Sequence, residues 1–426
     1  MDNKEILWIS CYAPYDKVDH AGGKIHNYFL KYLHKTCGNV RLLTICREEE
    51  REKIDLDQYG IPNDLIVLKK RMACKAVRFM GALNAEYNIF HRYAGRLTGY
   101  RERPMKARLK RICHSGYRPG VIILDWTEII VLMPYIRRLF PDSKIVMIEE
   151  DVSYLLYERR WKAASGPIRT YIYGKRYDKL KKLELAALRK AHKVILNNRK
   201  DRDLLVSDGL SPEKMLVWCP YFDNMVHVTR KPEYHSMIYY GAMNRKENYQ
   251  SAIWFIENVM PLIEDLDVTL EIIGGHPNPV LEKYESARVH ILGYVQDVSP
   301  YFQKGLCMVA PLVSGAGVKI KVLEALSSGI PVLTNAIGIE GIYAEAGEEY
   351  LHCEAPEEYA DMIRRLADRE LDSELISRNS KSFIDREYNS EKSAEEFVEM
   401  LLEGLEGNQV NGQKEISENS CHHGYV

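Results

Sequence analysis

Residues 305–335 read GLCMVAPLVSGAGVKIKVLEALSSGIPVLTN. An apolar run of strand length, GLCMVAP at 305–311, leads at once into a loop containing Gly315 and Gly317. A helix is expected over Val318–Ser328, and a second strand, PVLTN, over 331–335. Strand, short loop, helix and strand in so short a span make one βαβ unit, the element of a parallel sheet covered on both faces. Glycines let backbone N–H groups approach an anion closely, and a helix N-terminus favours negative charge. Lys319, Lys321 and Glu324 stand at the helix start. Lys321 supplies a point charge suited to a diphosphate, and Glu324, about one turn on, an acceptor suited to ribose hydroxyls. A tight turn with a surface charge pair accounts for the same residues, because a short Gly-rich turn is a weak signal by itself.

The same rhythm extends outward. SMIYYG (236–241), VTLEIIGG (268–275) and RVHILG (288–293) read as strands, with a helix from Asn248 to Ile263, and helices follow at about 355–370 and 373–386. Upstream, KEILWIS (4–10), NVRLLTI (39–45), VIILD (121–125), SKIVMI (143–148) and KVILN (193–197) are strand-like. A loop ending in Gly22-Gly23 precedes a helix from Lys24 to about His34, and a charged helix covers about 167–191. Between them, CPYFDNMVHVTRKPEYHS has two prolines and no helical period, which places a linker at 220–235. The expected fold is α/β, with two Rossmann-like doubly wound domains (1–219 and 236–390) facing a cleft, since open sheets bind ligands beyond the carboxyl ends of their strands. A helix at 391–406 packs back toward the N-terminal domain, and the polar tail 407–426 is expected to be disordered.

The 426 residues carry a formal net charge of -1, which hides an uneven distribution. Lys69–Arg118 holds 14 Lys or Arg against Glu86 and Glu102, interleaved with aromatic residues in AVRFMGALNAEYNIFHRYAGRLTGY. Such a stretch suits an anionic membrane face or a solvated helix; nucleic acid is disfavoured, since no recognised module accompanies it. Nine scattered cysteines without a CxxC pair, and no leader-like segment, point to reduced thiols in a cytoplasmic protein. No apolar run is long enough to span a bilayer. No metal cluster is evident; His422 and His423 belong to the polar tail.

The run PLVSGAGVKIKVLEALSSGIPVLTNAIGIEGI resembles the donor-binding signature of retaining GT-B glycosyltransferases, in particular glycosyltransferase family 4 (group 1). YYGAMNRKENYQSAIWFIENVMPLI and GYVQDVSPYFQKGLCMVAPL resemble the neighbouring segments of the same donor domain. The resemblance implies transfer of a sugar from a nucleotide-diphosphate sugar to a saccharide or lipid-linked saccharide in cell-surface polysaccharide synthesis. No cofactor and no required metal are implied. It assigns donor binding to Gly22, Gly23, Arg245, Lys246, Gly315, Gly317, Val318, Lys321 and Glu324. Two departures mark a variant: the first of the family's two glutamates falls at Ala316, and its Gly-Arg pair is Gly241-Ala242. Arg245 or Lys246, with Lys321, would take over from that arginine.

In EEDVSYLLYERR, after the strand KIVMI, Glu150 and Asp151 occupy the positions where related enzymes often carry His-Asn, and Ser153 that of a glutamate. They are the candidate catalytic acids, able to orient hydroxyls; the competing reading is that Glu149, Glu150 and Asp151 cap the next helix. Asp125, ending VIILD, is a further candidate. The resemblance also implies a reaction without a covalent enzyme intermediate. A non-catalytic nucleotide-sugar-binding protein and a nucleotide-sugar epimerase of the same architecture are the alternatives. A dinucleotide oxidoreductase is disfavoured because the full Gly-x-Gly-x-x-Gly pattern is missing.

Overall fold

The computed structural model describes residues 5–16, 18, 21–69, 97, 99–233, 235–315 and 317–403. The chain forms two compact units: one takes the residues up to Val18, Gly22–Trp218 and those from Glu391, the other takes Asp19–Ala21 and Cys219–Ser390.

The first unit contains β1 (Ile6–Ser10), α1 (Ala21–Cys37), β2 (Val40–Arg47), β3 (Asn63–Leu68), α2 (Gly99–His114), β4 (Val121–Asp125) and α3 (Met133–Leu139). It continues through β5 (Lys144–Glu149), α4 (Ser153–Lys162), α5 (Pro167–Lys190), β6 (Lys193–Leu196), α6 (Arg199–Ser207) and β7 (Met215–Val217). Its seven strands lie in the order β3-β2-β1-β4-β5-β6-β7, and every pairing is parallel. Uninterrupted apolar runs such as VIILD bury all five residues, as strands covered on both faces require.

The helix α1 starts at Ala21, so Gly22 and Gly23 lie in its first turn and not in a loop before it. α2 buries Met105, Leu109 and Ile112 in the core. Several of its cations are ion-paired: Arg108 with Asp64 at 2.7 Å, Lys106 with Glu102 at 2.6 Å. The described end of the basic stretch is thus a core-packed helix; residues 70–96 and 98 lie outside the described residues.

A helix at 390–403 belongs to the first unit. Its Phe397 is fully buried, with ring centroids 6.0, 5.8 and 5.4 Å from Trp8, Phe29 and Trp218. Such aromatic burial gives the segment a reason to return to this unit. The tail beyond 403, including the stretch at 407–426, lies outside the described residues.

The second unit contains β8 (Ser236–Tyr240), α7 (Lys246–Asn258), β9 (Thr269–Ile273), β10 (Val289–Gly293), α8 (Ser299–Lys304), β11 (Cys307–Ala310) and α9 (Ile320–Ser328). β12 (Val332–Thr334), β13 (Leu351–His352), α10 (Pro356–Ala367) and α11 (Ser373–Glu387) follow. The sheet order is β10-β9-β8-β11-β12-β13, again parallel. The segment 220–235 is no free tether. Lys231 N–H donates to the Gln303 carbonyl at 2.9 Å, and Glu233 N–H to that of Lys304 at 2.8 Å, fastening it to this unit. α9 begins two residues later than the pattern predicts, with Lys319 as its N-cap.

In each sheet the strand order reverses direction once, between β1 and β4 and between β8 and β11. Such switch points open a crevice at the strands' carboxyl ends. In the second unit that end carries Gly241-Ala242 and the loop before α9; in the first it carries Asp125 and Trp126.

Candidate functional site

The second unit brings Lys321 to the glycines of its switch point. Gly274 leaves β9 beside Gly241, and a Cβ on it would stand 1.7 Å from the Gly241 carbonyl oxygen. Only glycine permits that approach. Lys321, in the first turn of α9, then extends past Gly241, and its ammonium donates to Asn248 Oδ1 at 2.9 Å. It lies 5.1 Å from the centroid of the Tyr239 ring. Asn248 is itself held, its Nδ2 donating to the Ala242 carbonyl at 2.9 Å and its own carbonyl accepting from Tyr239 Oη at 2.9 Å. Among the described residues no ion pair reaches Lys321. Desolvation, reinforced by the positive charges of Lys319 and Arg245, pushes it from 10.5 to about 7, against a smaller pull from Glu247. An enclosed ammonium with a neutral hydrogen-bond partner and like-charged neighbours is arranged for an incoming anion.

The neighbouring lysine differs. Lys319 Nζ donates to the Gly317 carbonyl and lies 3.6 Å from Glu340 Oε2, both side chains nearly buried. Its charge is compensated, and it holds the loop Gly315, Gly317 and Val318 against the segment after β12. Gly317 has φ 70, a left-handed conformation favouring glycine. Glu324, one turn beyond Lys321, is 2% exposed on α9. Arg245 is the N-cap of α7, pairs with Glu247 at 2.5 Å and contributes to the field at Lys321. Lys246 is exposed at the first position of the same helix. Ala316 lies outside the described residues.

At the carboxyl end of the first sheet the acids sort by burial. Glu150 Oε2 accepts from Asn197 Nδ2 at 2.9 Å, while its buried Oε1 has no hydrogen-bond partner among the described residues. Burial, then the nearby Asp125, pushes the Glu150 carboxyl well above its usual range. Asp151, the next residue, is exposed. Glu149 turns into the core and accepts from Thr127 Oγ1 at 2.5 Å. Neither Glu149 nor Glu150 caps α4: its N-cap is Val152, and Ser153 N–H donates instead to Glu184 Oε1 on α5 at 2.8 Å. For these two the capping expectation fails, because Glu184 arrives from a distant helix.

Asp125 is likewise a core residue, accepting from Trp8 Nε1 at 3.1 Å with His26 Nδ1 3.5 Å away. Gly22 completes this end. A Cβ there would lie 2.5 Å from Trp126 Cη2 and 3.5 Å from Glu150 Oε2. Its small size seats the start of α1 against the Glu150 carboxylate. Sequence reasoning missed Asn248, Tyr239, Glu340, Asn197 and His26, since each acts through a partner remote in the chain. Among the described residues no group of three His, Cys, Asp or Glu side chains could hold a metal ion, and no helix is long and apolar enough to cross a membrane.

Residues 234–369 match the model of the glycosyl transferases group 1 family. The second unit is a group 1 glycosyltransferase domain. The whole chain resembles solved GT-B glycosyltransferases. HepE from Anabaena, in complex with UDP-glucose, superposes with a TM-score of 0.62 at 13% identity, covering 94% of this chain and 99% of that one. Sucrose-phosphate synthase from Thermosynechococcus elongatus gives 0.63 at 14% identity, covering 97% and 100%. A Klebsiella pneumoniae protein described as an uncharacterized 44.6 kDa protein in the cps region is 24% identical over 219 residues, 48% of this chain. The match spans 56% of that protein's length, just over half. The glycosyltransferase domain contains Gly315, Gly317, Val318, Lys321 and Glu324, and the family match covers Arg245 and Lys246 as well.

Proposed function

We propose that the chain is a glycosyltransferase that moves a sugar from a nucleoside-diphosphate sugar to a saccharide or lipid-linked saccharide, with retention, in cell-surface polysaccharide synthesis. The observation that carries this reading is Lys321, a desolvated ammonium without an ion-pair partner at the start of α9, in a group 1 glycosyltransferase domain. A donor diphosphate supplies the missing charge, and Glu324, one turn on, is assigned to the ribose. UDP-glucose in HepE and the cps region of the Klebsiella relative point the same way.

In this reading the sugar C1–O bond to the diphosphate breaks as the acceptor oxygen bonds to C1 on the same face. The acceptor proton passes to a diphosphate oxygen, so no enzyme nucleophile is consumed. The protein positions the partners and stabilises charge developing on the leaving group, which is where a preorganised cation acts. Lys321 fills that role, with Arg245 strengthening the field. Glu150 is assigned to orient hydroxyls, its carboxyl made harder to ionise by burial and by the nearby Asp125. Cytoplasmic location with peripheral attachment to an anionic membrane face belongs to the same proposal, as a lipid-linked acceptor would require.

UDP-, GDP-, dTDP- and ADP-sugars, screened by thermal shift and then by hydrolysis, test the reading. Stabilisation followed by turnover is expected for at least one donor. Stabilisation with no turnover across varied acceptors would assign the chain to non-catalytic nucleotide-sugar binding.

A further inference from the structure

α4 and α5 form an antiparallel pair joined by the turn Ala163–Gly166, in which Ala163, Ser165 and Gly166 are exposed. Ile168 and Tyr171, spaced i,i+3 on the first turn of α5, are 69% and 67% exposed. Leu156 and Trp161 on α4 are 40% and 36% exposed. The Trp161 ring is not loose: it stacks on Tyr177 with centroids 5.6 Å apart, over Gly174, where a Cβ would meet the indole nitrogen at 3.0 Å. Ile168 and Tyr171 thus stand exposed just after the turn, with Trp161 partly exposed just before it and Leu156 further back on α4. Residues 153–182 carry nine Lys or Arg against Glu158 and Asp178. Arg160, Lys162, Arg169, Lys175, Lys179 and Lys182 are exposed on this hairpin, and Lys175 Nζ lies 5.8 Å from the Tyr171 ring.

Exposed aliphatic and aromatic residues surrounded by cations match a surface that is negatively charged outside and apolar just beneath. Tyr and Trp favour the headgroup level, where a ring's apolar body and polar edge are both satisfied. Lys and Arg near anionic lipid each add attraction, and their long stems allow the apolar tip to reach the acyl boundary. An acidic protein would satisfy the cations but would need a matching pocket for Ile168 and Tyr171, whereas a bilayer adapts to them.

We propose that the α4–α5 hairpin tip docks this protein onto a bilayer containing anionic lipid. The inference gives the membrane attachment in the proposed function a defined surface, and it is read without any sugar donor, so its failure and that of the donor site are separable.

The full chain is sedimented with phosphatidylcholine vesicles, with and without phosphatidylglycerol, at low and high salt. Binding only to the anionic vesicles, weakened by salt, is expected. Ile168→Asp with Tyr171→Asp should abolish it. Arg160→Gln with Lys175→Gln should weaken it roughly 25-fold, from about fivefold per charge. Trp161 emission should shift to the blue on binding, a change absent in Trp161→Phe. Arg160, Ile168, Tyr171 and Lys175 are solvent-facing, so thermal melts and nucleotide-sugar binding of both paired variants should stay as in the wild type. Absence of binding, binding equal in wild type and both paired variants, or self-association through the tip in place of lipid binding would each overturn the proposal.

Discussion

Replacing Lys321 by Met should stabilise the protein while removing donor binding. The folded-state value near 7 against an ordinary 10.5 is a displacement of 10.5 − 7 = 3.5, worth on the order of 5 kcal/mol wherever Lys321 is charged. Methionine has a similar stem and no charge to desolvate. The substitution leaves Asn248 Oδ1 without its donor, which costs about 1 kcal/mol. A net gain of about 4 kcal/mol corresponds to roughly 8–16 °C in Tm for a unit of this size.

The pH dependence has a definite sign. The unfolded chain keeps the lysine proton up to about 10.5 and the folded chain only to about 7, so the cost is full below pH 7 and fades toward 10.5. Stability from this group therefore rises across that window in the wild type and is flat in Lys321→Met. Binding runs the other way: above pH 7 a diphosphate must recruit a proton to Lys321, so affinity falls as pH rises. Losing the charge should weaken nucleotide-sugar binding by 2 kcal/mol or more, about 30-fold. Calorimetric melts from pH 6 to 9 and titration with nucleotide-sugars read both effects. A variant that melts no higher than wild type at pH 6.5 and binds donor normally would refute the reasoning.

Glu324→Ala should abolish donor binding or turnover, seen by titration calorimetry and a hydrolysis assay, with wild-type activity refuting its ribose role. Gly22→Ala forces a methyl to within 2.5 Å of the Trp126 ring, and overpacking of this kind costs about 1–3 kcal/mol, read as a lower urea midpoint. Burial raises Glu149 from 4.5 to about 8, so its proton is kept on folding. Its contribution is full below pH 4.5 and lost as pH climbs through 8, a decline on the order of 3 kcal/mol that Glu149→Gln should flatten in urea titrations at pH 5 and 8.

Much of the architecture was legible because strands covered on both faces must be continuously apolar, and VIIL, IVMI and VIL at 121–124, 145–148 and 194–196 are. β3 was missed: NDLIVL opens with two polar residues, and Asp64 is tolerated there because Arg41 and Arg108 each meet it at 2.7 Å. β13 has only two residues and no periodicity to read. Gly22-Gly23 looked like a loop because glycine is a poor helix former; packing against Trp126 overrides that preference.

The sequence alone determined two doubly wound units and a glycine-led helix bearing Lys321 and Glu324, because those features follow from residues adjacent in the chain. Only the tertiary structure decided which charges stay uncompensated. Lys319 and Lys321 are two residues apart and chemically identical, yet the first meets Glu340 and the second Asn248, 73 positions away. Glu150 is enclosed while Asp151 beside it faces solvent. Desolvation and pairing depend on what folds against a side chain, and local spacing carries no information about that.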